Sequence, residues 1–246
     1  MTILVLSDLH IDTNDKFGTF QWDDVDFIIR LEEIRDKFRI DKVIFNGDTF
    51  ELMKYTLQEI TSAHPSLLKY LKNNDFVFIK GNHDIVNTFG DESYDIINSS
   101  GQRIHIEHGH NADWINGTRI GRTIGNIFFS VLKRLVNFNP VLKLYFRAVA
   151  LEDHINVIPK RYNTLKYLTY ALRLLKDNDV IILSHTHKLE AHHTYYLNKK
   201  KRYLNTGSCS MGRFQGIILD TETLRYEMIR EEQDTEVNSV TLNYAV

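Results

Sequence analysis

Ile3-Leu4-Val5-Leu6-Ser7-Asp8-Leu9-His10 sets an unbroken apolar run directly against a cluster of polar side chains. A short apolar run without alternation reads as a strand buried on both faces, and the polar residues after it read as the loop at its C-terminal end. The pattern returns four times. Val43 to Phe45 runs into Gly47-Asp48, Phe76 to Ile79 into Gly81-Asn82-His83-Asp84, Ile104 to Ile106 into His108-Gly109-His110, and Val180 to Leu183 into Ser184-His185-Thr186-His187. Between the first two runs, Phe27, Leu31, Ile34 and Phe38 recur at the period of an amphipathic helix. The opening is therefore a βαβ unit, and the chain as a whole predicts an α/β fold. A second helix is expected from Pro65 through Lys72, with proline in its first turn.

After Leu189 the text turns strand-rich: Thr194 to Leu197, a turn over Asn198 to Lys201, Tyr203 to Asn205, Gln215 to Leu219 and Leu224 to Ile229. These predict a run of antiparallel hairpins, with Lys199 to Arg202 as a solvated tip and an acidic, frayed tail from Glu231. His192 and His193 occupy adjacent strand positions and face opposite ways.

The middle of the chain differs in kind. From Trp114 to Ala150 there is no Asp or Glu, so this stretch carries +6 while the rest of the chain carries −8. Ile124, Ile127, Phe128, Val131 and Leu135 step at helical spacing, Pro140 restarts a helix, and Leu165, Leu168, Leu172 and Leu175 mark a third. A helical insert over about residues 112–176 thus interrupts one domain spanning residues 1–246. Its apolar stripes suit packing against the core, a dimer interface or lipid chains. The longest uncharged run within it, Thr123 to Leu132, is ten residues, against about 20 for a bilayer span.

The 246 residues are 43% hydrophobic and 25% charged, which excludes a disordered or low-complexity chain. A net charge of −2 gives no global basic field, and no long basic groove points to nucleic acid. Cys209 is the single cysteine, and the first residues carry no basic n-region; both favour a cytoplasmic protein.

Each polar cluster alone has an ordinary explanation, as a turn, a helix cap or a surface histidine. Together they are carboxylates, an amide and imidazoles, the donors suited to Mn, Fe or Zn, and strand C-termini in such a sheet converge on one crevice. His185 and His187 would share a face of a regular strand, but in a loop they can diverge towards two neighbouring ions. One carboxylate such as Asp48 can bridge a pair of ions.

In order and spacing these five blocks resemble the calcineurin-like metallophosphoesterase superfamily, from Asp8 to about Ser208. The resemblance implies a four-layer αββα sandwich and two divalent metal ions, manganese first, with iron or zinc as alternatives. It implies that Asp8, His10, Asp48 and His187 hold one ion and Asp48, Asn82, His108 and His185 the other. His83 would stay unligated and face the substrate, stabilising phosphoryl charge or protonating the leaving oxygen. Asn205-Thr206-Gly207-Ser208 fits the family's closing turn. The implied chemistry is attack on phosphorus by a metal-bridging hydroxide, with no covalent enzyme intermediate. Ser208 and Cys209 are accordingly read as structural, and Glu51 as a supporting group.

Within that superfamily the chain is most similar to UDP-2,3-diacylglucosamine diphosphatase and its relatives, which act in lipid A synthesis. The resemblance implies a phosphodiester or pyrophosphate substrate on a lipid-linked sugar nucleotide. The insert would serve as a cap that also touches the inner membrane surface as a peripheral contact, with Arg119 and Arg122 near the phosphates. Two positions depart from those enzymes: His83 stands in place of arginine, and His110 in place of an acidic residue. His110 is either an extra polar contact to substrate or an exposed loop histidine. The alternatives are a soluble cyclic-nucleotide or nucleotide phosphodiesterase, and a non-enzymatic scaffold, which would lack the ligands present here.

Overall fold

A computed structural model of the protein describes residues 1–16, 18–84, 90–112 and 161–232, together with positions 140 and 147. Strand β1 (Thr2–Leu6) leads through α1 (Asp24–Phe38) to β2 (Lys42–Asn46), and α2 (Leu57–Ala63) and α3 (Pro65–Asn73) lead to β3 (Val77–Ile79). Then come β4 (Ser93–Ile97), β5 (Arg103–Glu107), α4 (Arg161–Leu174), β6 (Val180–Leu183), β7 (Leu189–Tyr196), β8 (Lys199–Thr206), β9 (Arg213–Asp220) and β10 (Tyr226–Glu232).

Local chemistry sets the helix ends. The Asp23 side chain caps α1 by accepting from the Val25 and Asp26 amides, Asp24 and Asp26 occupy the first turn, and Arg35 and Lys37 the last, each matching the helix dipole. A reciprocal capping box between Thr56 and Glu59 starts α2, which the sequence reading missed, and Pro65 occupies the first turn of α3 as expected.

The strands form two mixed five-stranded sheets, ordered β10-β9-β1-β2-β3 and β4-β5-β6-β8-β7. Pairs β1/β2, β2/β3, β5/β6 and β6/β8 are parallel, and β1/β9, β9/β10, β4/β5 and β7/β8 are antiparallel. Alternation along the strands assigns the layers. Ile3, Val5 and Ile44 of the first sheet meet Ile104, Ile106, Val180, Ile182 and Leu204 of the second in one buried cluster. Leu4, Leu6, Val43 and Phe45 face the other way, onto Phe27, Leu31, Leu67 and Leu71 of α1 and α3. Ile181, Leu183 and Tyr203 pack on Ala171 and Leu175, at and just beyond the end of α4. The fold is therefore the expected αββα sandwich.

Two readings of the strands need correction. Strand β4 was not anticipated, because Ser93-Tyr94-Asp95 lacks an apolar run and the strand is only half buried. The terminal antiparallel hairpins are present as expected, β7–β8 completing the second sheet and β9–β10 the first. The β7–β8 turn is centred on Leu197 and Asn198, both at positive φ, so Lys199 to Arg202 belong to β8 and are no loop tip. Lys201 is buried, its Nζ donating to Asn178 O at 2.7 Å and Asp179 Oδ1 at 3.1 Å.

In α4 only half of the expected leucine stripe faces the sheet: Leu168 packs against the buried cluster and Leu175, just past the helix, belongs to it. Tyr167 and Ala171 are buried, whereas Leu165 and Leu172 are exposed. Glu231 and Glu232 extend β10 in place of a frayed end. The two earlier helices of the insert, Arg119 and Arg122, and the rest of the acidic tail lie outside the described residues. Among the described residues, no helix is long and apolar enough to cross a membrane.

Candidate metal centre

All five polar clusters follow the C-terminal ends of parallel strands: β1, β2 and β3 in one sheet, β5 and β6 in the other. Because the sheets stack face to face, those ends open on one crevice. The loops after β1 and β2 are laced together, Asp8 N donating to Gly47 O at 3.1 Å and His10 N to Asp48 O at 2.9 Å. The backbone is left-handed at Asp8, His10, Asp48, His185 and His187, with φ between 50 and 66°. Each such non-glycine residue costs on the order of 1 kcal/mol or more, and such residues concentrate where side chains must be aimed.

That twist brings donor atoms into three groups, each within 4.8 Å of one another: Asp8, His10 and His187; His10, Asp48 and His83; Asp48, His108 and His185. Asp48 and His10 belong to two groups each. His187 Nε2 lies 3.2 Å from Asp8 Oδ1, and His108 Nε2 lies 3.2 Å from Asp48 Oδ2 and 3.3 Å from Asn82 Oδ1. His185 and His187 thus part company and join opposite ends of the cluster. Every residue assigned to the ions from the sequence lines this one crevice.

The donor set fits divalent cations. Asp8, His10, Asp48, Asn82 and His108 are buried, and His10 Nε2 has no hydrogen-bond partner among the described residues. A buried imidazole nitrogen left in that state is costly unless a ligand takes it up. Its other nitrogen, Nδ1, lies 3.2 Å from Glu51 Oε2, so Nδ1–H donates to the carboxylate and the Nε2 lone pair faces the crevice.

Supporting contacts fix the rest. Glu51 also receives His83 Nδ1 at 2.8 Å on Oε1 and lies 3.3 Å from Lys54 Nζ, so one buried carboxylate orients two histidines. Asp84 accepts from Thr49 N at 2.8 Å and Gly81 N at 2.7 Å, closing the loops after β2 and β3 on each other. His108 Nδ1 donates to Asn46 O at 2.9 Å. The closing turn braces the far side: Ser208 Oγ donates to Asp8 O at 3.1 Å, and Thr206 Oγ1 lies 2.6 Å from Ser7 Oγ. Cys209 is buried, and that burial pushes its thiol up to about 12, which disfavours the thiolate.

Electrostatics follow from burial set against mutual attraction. Burial raises the Asp8 carboxyl, but His187 and His108 outweigh it and hold it at about 2. Asp48 is likewise raised by burial yet held well below the carboxylate range by His108, His83 and His10. His83, lowered by burial, is lifted to about 9 by Glu51 and Asp48, whereas burial and the neighbouring His108 press His185 down to about 3. Asp84 is pushed up to about 6 by burial and by Asp48.

His110 is no exposed loop histidine. It is buried in a short 3₁₀ turn, its ring 5.5 Å from that of His108. Sequence reasoning missed Tyr167, buried on α4 with its ring 5.8 Å from that of His185, and Tyr170, whose hydroxyl donates to Glu107 Oε1 at 2.7 Å. Nothing in the local sequence distinguishes these tyrosines from core aromatics.

A family model described as calcineurin-like phosphoesterase matches residues 1–189, so the chain belongs to that family and is a metal-dependent phosphoesterase. Solved structures similar to it include a dimetal phosphatase from Danio rerio, 10% identical, covering 94% of this chain and 98% of that one with a TM-score of 0.49. A novel archaeal phosphodiesterase is 16% identical and covers 94% and 100%, at 0.44. The zinc complex of wild-type Vps29 from Entamoeba histolytica is 19% identical and covers 94% and 99%, at 0.42. No curated protein matches the chain.

Proposed function

We propose that the crevice holds two divalent cations and hydrolyses a phosphodiester or pyrophosphate. In this reading Asp8, His10, Asp48 and His187 hold one ion, and Asp48, Asn82, His108 and His185 the other. The observation that carries it is the overlap of the donor groups on Asp48, whose two oxygens suit a bridging role. Bound there, the ions supply Lewis-acid stabilisation of phosphoryl oxygens and make a water available as nucleophile near neutral pH.

The chain's own residues do the rest. Asp48 sets the separation of the two halves of the site and accepts the His83 amide at 2.8 Å on Oδ1. His83, with its side chain 22% exposed, is open to the crevice, and Nδ1–H given to Glu51 leaves Nε2 for a substrate oxygen. Burial lowers this imidazole, but the Glu51 and Asp48 carboxylates lift it above its ordinary range, which suits a group that would set positive charge against the phosphoryl group and give a proton to the leaving oxygen. Glu51→Gln keeps the shape but weakens the acceptor. Turnover is expected to fall by roughly 10- to 100-fold with metal content, read by elemental analysis, little changed.

The substrate we favour is an amphipathic sugar nucleotide such as UDP-2,3-diacylglucosamine. Support comes from the order and spacing of the five blocks and from the basic, apolar stretch between Trp114 and Ala150, with Arg119, Arg122 and His110 as candidate phosphate contacts. Manganese is the cation we expect, and the setting a cytoplasmic protein in contact with the inner membrane surface.

Purified, manganese-loaded protein assayed against UDP-2,3-diacylglucosamine in micelles, bis-p-nitrophenyl phosphate and cyclic nucleotides tests both levels. Preferred turnover of the acylated substrate, abolished by EDTA and restored by manganese, is the expected outcome. Equal rates on simple soluble diesters would sink the lipid assignment. Activity surviving full chelation would sink the metal assignment.

A further inference from the structure

A groove of ≈ 530 Å³ opens at the other end of the sandwich, between the β7–β8 hairpin and the β9–β10 pair. Thr2 lines it, whereas Asp8 follows the far end of the same strand. At about 3.3 Å per residue the groove and the metal centre are roughly 20 Å apart. Cross-strand register sets His193 opposite Arg202 and Tyr195 opposite Lys200 on one face of the hairpin. The His193 Nε2 atom lies 2.9 Å from the Tyr226 hydroxyl of β10, which ties the two walls together. The volume falls within the range of small-molecule sites.

The lining is cationic and unspent. Lys200, Arg202 and Arg225 all face the groove, and among the described residues none of these side chains makes an ion pair or a hydrogen bond. Arginines elsewhere are engaged, Arg30 by Glu33 and Glu231 and Arg35 by Glu32. Two carboxylates border the groove, but Asp220 is occupied by the Glu222 and Thr223 amides at 2.9 Å each, and Glu227 is exposed. The surplus is felt locally: partial burial and the charges of Lys200 and Arg202 hold the His193 imidazole below its ordinary range. Leu224 and Tyr226 add an apolar and aromatic surface beside the cations.

We propose that this groove is a second ligand site, separate from the metal centre, for a small phosphorylated molecule. Its anionic groups lie among Lys200, Arg202 and Arg225, and its planar or apolar part lies against Tyr226 and Leu224. Two guanidinium forks beside an ammonium match phosphate geometry, and a ring face accepts a planar group. The phosphate has two possible sources, a soluble nucleotide or a phospholipid headgroup. The second enters because the adjoining hairpin turn exposes Tyr195 and Leu197, at 72% and 81%.

The test titrates ADP and inorganic pyrophosphate separately into ¹⁵N-labelled, metal-loaded protein. A parallel arm sediments the protein with phosphatidylcholine vesicles with and without phosphatidylglycerol. Saturable ADP shifts at the amides of Lys200, Arg202 and Tyr226 are expected for a soluble ligand, and cosedimentation only with phosphatidylglycerol for a lipid headgroup. In either arm Arg202→Glu with Arg225→Glu weakens binding by about tenfold or more, the loss of at least one charge-assisted hydrogen bond. Lys200→Glu with Arg225→Glu, at two exposed positions, does the same with an unchanged melting temperature. Binding in neither arm, affinity indifferent to both charge reversals, or ADP shifts confined to the loops of Asp8, Asp48 and His187 would overturn the proposal.

Discussion

Asp48→Asn should abolish hydrolysis of bis-p-nitrophenyl phosphate to at least roughly 10³ below the native rate, beyond the loss typical of a single stabilising donor. The reason is the residue's double membership. Its carboxylate lies in two of the three donor groups, 3.2 Å from His108 Nε2 and 4.0 Å from His10 Nε2, and accepts the His83 amide. An amide keeps the volume but has only one acceptor oxygen, so one half of the site loses its ligand. Metal analysis of the purified variant should show less than the native complement, while its circular dichroism is unchanged. Native turnover by Asp48→Asn would remove the bridging role from the account.

Gly81→Ala is expected to lose both activity and stability. A Cβ built on Gly81 falls into the space of Asp48, 2.8 Å from its Cγ and closer still to its amide and Oδ1. The obstacle is a main-chain segment whose φ is already 50° and whose amide region is locked to the neighbouring loops, so it has little room to yield. Overpacking of this kind costs about 1–3 kcal/mol, and displacing the central carboxylate should take turnover down by at least roughly 10²-fold. Urea denaturation and steady-state kinetics on one preparation read the two effects. Gly47 makes a parallel case: its φ is +85°, and a Cβ there would sit 2.7 Å from the His108 Cβ. A Gly81→Ala protein of native stability and rate would show that the loop can open, contrary to the geometry described.

The two expectations rest on different kinds of legibility. Apolar runs such as Ile3 to Leu6 and Val180 to Leu183 are strands in the structure because continuous burial leaves the same mark in composition that it leaves in packing. The polar residues following them were readable for a related reason, since strand ends are where such folds gather their chemistry. What the letters could not convey is orientation. The parting of His185 and His187 was expected from their place in a loop and from the family resemblance, but the left-handed dihedrals that accomplish it are not encoded in spacing.

Lys201 fails in another way. In a Lys-Lys-Lys-Arg run every member looks solvated, and only the turn at Leu197 and Asn198 decides which one points inward to Asp179. Tyr167 was invisible because its neighbour His185 is remote along the chain, and the leucine stripe of α4 only half coincides with the face that packs. Glu51, by contrast, was read as a supporting group, and its grip on both His10 and His83 emerged only from geometry.

The five site residues with positive φ also bear on engineering. A designer who copies only the identities of Asp8, His10, Asp48, His185 and His187 onto a scaffold with standard turns will aim the same imidazoles and carboxylates elsewhere. The transferable unit is the set of connecting loops with their unusual torsions, seated on stacked sheets rigid enough to hold them.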